Sequence, residues 1–140
     1  MADELTYALI TPYSLLKSRT GGILGRLLSL TNLEVVGATM FAPSDAFVDK
    51  YCATIEEQDC KPEWKKVMTD YINSNFRKVN KFRITNRTVL LFFKGPRALE
   101  KLKDDVIGPI TSFQGHTIRG SFGDFVESSD GKVEYFEPAV

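Results

Sequence analysis

His116-Thr117-Ile118-Arg119-Gly120-Ser121-Phe122-Gly123 is the stretch best equipped for chemistry. It sets one arginine between glycine-bearing turns, with threonine and serine hydroxyls beside it. Glycine lets backbone come close to a ligand, and a guanidinium presents a planar fork of donors that matches phosphate. Arg119 taken alone is also what a solvated loop carries. Other chemistries find less material. His116 is the single histidine and is expected to be an exposed loop residue. Cys52 and Cys60 are the two cysteines, at a spacing unlike a zinc knuckle. A metal-dependent hydrolase therefore lacks a ligand cluster, and both cysteines are expected as ordinary thiols of a reducing compartment.

The whole chain has 140 residues, the length of one domain, and is 43% hydrophobic, enough to bury a core. Its 18 basic and 18 acidic residues leave no excess of charge, so the balance directs it neither to nucleic acid nor to a membrane surface. No apolar run approaches the ~20 residues of a membrane span. Met1-Ala2-Asp3-Glu4 lacks the basic-then-apolar plan of a secretory signal, and a cytoplasmic protein is expected.

The elements that must position Arg119 follow from the apolar pattern. Tyr7, Leu9 and Thr11 alternate with Thr6, Ala8 and Ile10, apolar on both faces, which predicts a central strand over Leu5 to Thr11 ended by Pro12. Ser14 to Thr20 is polar and predicts no definite element, although Lys17 and Arg19 there could reach an anion. Thr20 can cap a helix with Ile23, Leu24, Leu27, Leu28 and Leu30 on its apolar side. Leu33 to Phe41 reads as a second strand. Ser44 caps a helix with Asp45 in its first turn and Phe47, Val48 and Tyr51 facing inward. After a polar loop over 53–61, Pro62 opens a helix whose Trp64, Val67, Met68, Tyr71 and Ile72 share one face. Thr88 to Phe93 is the strongest strand. Pro96 opens a further helix that buries Ala98, Leu99, Leu102 and Val106 and stops at Gly108. A polar excursion over 123–131 and a closing strand over Val133 to Phe136 complete the order. The order suits one α+β domain over residues 1–140, a ferredoxin-like βαββαβ sandwich of two split βαβ units. Between Asn73 and Arg87, the basic Arg77, Lys78, Lys81, Arg83 and Arg87 interleave with Phe76, Val79, Phe82 and Ile84. That pattern is a weak nucleic-acid signal or a positive hairpin.

Thr117-Ile118-Arg119-Gly120, with Ala8-Leu9-Ile10-Thr11-Pro12 and Gly21-Gly22-Ile23-Leu24, resembles the nucleoside diphosphate kinase family. The resemblance implies a four-stranded antiparallel sheet with helices on one face. It implies binding of nucleoside di- and triphosphates with Mg²⁺, transfer of the γ-phosphate between nucleotides, and a homo-oligomer. It places Arg119 on phosphate, with Thr111 near a phosphate-contacting threonine and Lys103 or Asp104 at the position of a phosphate-clamping arginine. Tyr51 falls beside the phosphates. Trp64 lies next to the base-stacking position, which Glu63 occupies, and is either a platform for the base or core. Thr11 stands where the family carries a lysine, and Arg26 matches a helical arginine.

The family nucleophile is a histidine that follows the arginine, and a neutral imidazole suits phosphoryl transfer near pH 7. His116 precedes Arg119, so it does not match. The family's histidine motif and its following helix are absent, so the sequence predicts a domain without the C-terminal part of the family fold and little transfer by these 140 residues. The alternative is a non-catalytic module that binds a partner protein or nucleic acid through residues 77–87.

Overall fold

The computed structural model describes residues 2–109 and 116–140. Its first strand, β1 (Asp3–Ile10), turns Thr6, Ala8 and Ile10 inward and leaves Leu5 and Tyr7 outside. A short helix, α1 (Pro12–Leu16), follows directly. Thr11 caps it by accepting from Ser14 N at 3.2 Å, and Pro12 occupies the first turn. Both signals stand in the sequence, but five residues are too few to show a period. Next come α2 (Thr20–Leu30), β2 (Glu34–Phe41), α3 (Asp45–Glu56) and α4 (Pro62–Asn75). Ser44 caps α3 by accepting from Phe47 N at 3.1 Å.

The central strand is β3 (Thr88–Pro96), not β1. The sheet order is β1-β3-β2, all antiparallel, with Ala8 opposite Leu91 and Ala38 opposite the same residue from the other side. The unbroken apolar run Val89 to Phe93 is what a strand flanked on both edges requires. Helix α5 (Ala98–Glu100) then runs straight into a π-helix (Lys101–Ile107). Beyond it stand α6 (Ile118–Phe122), β4 (Asp124–Glu127) and β5 (Val133–Glu137).

Two apolar clusters hold these elements. In one, Ala8, Ile10, Leu91 and Phe93 meet Ile23 and Leu27 of α2, Leu102 and Val106 of the π-helix, and Ile118 of α6. Fully burying one such large side chain contributes about 1.5–3 kcal/mol, so Ile118, wholly buried, fixes where α6 lies. Gly22 matters here: a Cβ on it would fall 2.6 Å from the Phe122 ring, so α2 and α6 touch only because that position is bare. In the other cluster, Val48 of α3 and Tyr71 and Ile72 of α4 pack with Phe76 and Phe136, and Leu9 reaches it from the opposite sheet face.

This corrects two expectations. The closing strand does not join the sheet as a fourth strand: β5 pairs with β4, a strand the polar excursion concealed, in a separate antiparallel hairpin. Phe125 and Phe136 explain why, since half-buried Phe125 stacks on Trp64 and buried Phe136 packs on Tyr71, both residues of α4. Nor do helices lie on one face alone, because α2 and the π-helix cover one side while the α3–α4 pair meets the other through Leu9.

Candidate functional site

Arg119 sits on α6 and not in an open turn. Thr117 caps this helix by accepting from Gly120 N at 3.0 Å. The guanidinium projects into a cleft of about 240 Å³ beside the outer edge of β1. Its Nε and Nη2 donate to the Val140 carbonyl at 3.0 and 2.9 Å, and Nη1 donates to the Gly108 carbonyl at 2.8 Å. Among the described residues no aspartate or glutamate side chain pairs with it. Burial pushes its pKa down to about 10, yet it stays charged near neutrality. Desolvating a cation is costly, and an anion arriving in the cleft offsets that cost.

Two further predicted residues share the cleft. Lys103 reaches it from the π-helix, and Tyr51 from α3. Leu99 of α5 and Leu102, Lys103 and Ile107 of the π-helix line the same cleft, and π-helical turns recur at functional sites. Burial raises the Tyr51 pKa, reinforced by a hydrogen bond with Tyr7, so its hydroxyl stays protonated. The cleft thus offers a guanidinium, an ammonium and phenolic hydroxyls, which together suit phosphate oxygens.

The other three predicted residues do not join them. Thr11 is buried, and its hydroxyl is spent on Ser14 in capping α1. Trp64 lies stacked on Phe125 at 6.5 Å and edge-on to Phe136 at 6.2 Å, a core arrangement. Thr111 lies outside the described residues. His116 is exposed and does not line the cleft. Arg26 and Arg19 brace the hairpin side of the molecule instead of meeting ligand. Arg26 donates to the Thr117 carbonyl and Ser121 Oγ, and Arg19 pairs with Asp124 at 2.8 Å. Tyr13 donates a short hydrogen bond to the same Asp124.

Sequence reading missed Tyr7 and the Gly108 carbonyl. Tyr7 was legible only as one face of a strand, and its exposure depends on β1 being an edge. The basic segment divides in three dimensions. Arg77 is held by Asp49 at 2.6 Å, and Lys81 pairs with buried Glu137. Phe76 is buried and Phe82 packs on Tyr13 at 5.4 Å, so neither ring is free for a base. Lys78, Arg83 and Arg87 remain exposed around residues 77–87. Asn86, the head of an Asn-Arg-Thr glycosylation pattern, is buried and donates to the Pro43 and Phe76 carbonyls, which is incompatible with glycosylation of the folded chain.

Cys52 and Cys60 are free thiols. Among the described residues no group of metal-ligating side chains gathers, and no helix is long and apolar enough to cross a membrane. No protein-family model matches the chain, and no curated protein matches it.

Proposed function

We propose that the chain is a divergent nucleoside diphosphate kinase-like protein that binds nucleoside di- and triphosphates, with Arg119, Lys103 and Tyr51 on the phosphates. One observation carries this reading: a largely buried guanidinium bonded to main-chain oxygens and to no aspartate or glutamate among the described residues, in a cleft it shares with an ammonium and two phenols. By resemblance the reaction is transfer of the γ-phosphate between nucleotides. The described residues provide no histidine at the cleft, so these 140 residues bind without turning over. Among the described residues no aspartate or glutamate side chain lines the cleft. The residues therefore do not fit a protein-held Mg²⁺, and an ion there rests on the nucleotide's own phosphate oxygens.

The four-stranded sheet of the family is completed in this reading by a strand on the open edge of β1, where Thr11 N already donates to the Ala139 carbonyl at 3.1 Å. The same resemblance makes the protein a homo-oligomer, and the polar N-terminus, Met1-Ala2-Asp3-Glu4, supports a cytoplasmic location. Strand β2 supports this, as an edge strand exposing Val35, Val36 and Met40. The alternative, an anionic partner such as nucleic acid at residues 77–87, keeps Lys78, Arg83 and Arg87 as its support but has lost its stacking rings to the core.

Calorimetry with ADP and Mg²⁺ tests the first reading. A hydrogen bond to a charged group contributes about 1.5–3 kcal/mol, so Arg119→Ala is expected to weaken binding roughly 10- to 100-fold. Arg119→Lys, which keeps the charge without the fork, falls between. Equal affinity in wild type and Arg119→Ala sinks the assignment.

A further inference from the structure

Beside the Arg119 cleft lies a second cavity of about 230 Å³, walled by Tyr7, Leu9, Phe41, Phe47, Tyr51 and Phe92 among others. Its walls are almost wholly aromatic or aliphatic, drawn from all three sheet strands and from α3. It is open: Tyr7 is 50% and Phe47 45% exposed. The rings are already ordered, with Phe47 stacked on Tyr51 at 6.4 Å and edge-on to Phe41 at 5.7 Å. Tyr7, Leu9 and Tyr51 also line the Arg119 cleft, so the two cavities are one groove. Tyr7 and Tyr51 both stand at their junction. Along the groove the chemistry runs from π-faces, through two hydroxyls, to a guanidinium and an ammonium. Together the two parts reach the roughly 300–1,000 Å³ of small-molecule sites.

We propose that this aromatic slot holds the planar ring of the ligand whose phosphates meet Arg119, so that the base of a nucleotide lies between Phe47 and the sheet and not on Trp64. The assignment rests on the phosphate reading of Arg119. Two features select this occupant over others. The slot opens into a cationic cleft, which calls for an anionic tail on an apolar head. Trp64, the other platform the sequence offers, lines neither part of this groove.

The test titrates the 140-residue chain with ADP and, separately, with inorganic pyrophosphate. ADP is expected to bind more tightly than pyrophosphate, and Phe47→Ala to weaken ADP about tenfold while leaving pyrophosphate unchanged. Phe47→Leu keeps apolar bulk on α3 and is expected to fold as wild type with a similar loss. Saturation transfer to the adenine ring protons should vanish in both variants, and emission from Trp64, the only tryptophan, should not respond to ADP. If pyrophosphate binds as tightly as ADP, or Trp64 is quenched, the slot assignment falls while the phosphate reading stands. If neither ligand binds, both fall. If the Phe47 variants instead dissociate a wild-type oligomer, the slot is a contact between copies and the assignment is overturned.

Discussion

Arg119 and Glu137 are both charged groups held away from water, with opposite consequences. Arg119 meets no aspartate or glutamate among the described residues and faces a cleft. Glu137 on β5 is wholly buried, pairs with Lys81, and keeps Oε2 without a partner. Burial raises its pKa, against the pull of Lys81. The folded protein therefore holds this proton at pH values where the unfolded chain has lost it. Stability from this group is complete below the ordinary glutamate range and declines as pH rises through the raised value. Asp124 runs the other way. Burial pushes its pKa up, but hydrogen bonds from Tyr13 and Arg19 outweigh it and hold the carboxyl below its usual range. Its contribution is complete above the ordinary aspartate range and fades as pH falls through the lowered value. Urea midpoints measured from about pH 3 to 7 should separate the two. Relative to wild type, Glu137→Gln gains stability as pH rises, whereas Asp124→Asn loses it. Parallel pH profiles for the two variants would contradict both assignments.

Among the elements, the join between the π-helix and α6 determines the site. Gly108 ends the π-helix with φ +89°, a backbone region that side chains rarely adopt. A Cβ there would lie 2.6 Å from Thr117 Cβ, the residue that caps α6. The Gly108 carbonyl in turn receives Arg119. Strain of this kind costs about 1–3 kcal/mol, so Gly108→Ala should lower the urea midpoint accordingly. It should also weaken ADP binding, because the carbonyl that orients the guanidinium moves with it. Unchanged stability in Gly108→Ala would mean that the two elements adjust freely, and that Arg119 is not held by this junction.

For the whole molecule, both outer strands of the three-stranded sheet are open edges, and they differ. The edge of β1 forms one wall of the Arg119 cleft. The edge of β2 exposes apolar side chains, Val36 at 46% and Met40 at 56%. Such an edge is a template for pairing with another copy. A lysine placed on it blunts pairing at little cost to the monomer. Val36→Lys is expected to convert an oligomer to a monomer in sedimentation equilibrium without shifting thermal unfolding. A wild-type chain that sediments as a monomer at high concentration removes the oligomer from the proposal.

The local signals in the sequence determined a good deal. The helical spacing of Ile23, Leu24 and Leu27, and of Trp64, Val67, Met68 and Tyr71, foretold α2 and α4, because one apolar stripe needs only its own neighbours to be visible. The Ser44 cap and the Val89 to Phe93 run were legible for the same reason, and so was Arg119 as the residue best matched to phosphate. What tertiary structure alone decided is which strand is central, where β5 goes, and which polar side chains are already satisfied. Tyr7 alternates as an inner strand would, yet lies at an edge because β3 takes the middle. Trp64 reads as core or as a platform for a base, and only the packing of Phe125 and Phe136 against it shows which neighbours it takes. Lys81 looks like a free cation until Glu137 meets it from 56 residues away. Periodicity reports how a segment presents its own faces. The partner that covers each face is set by packing between segments distant in sequence, and no local pattern records it.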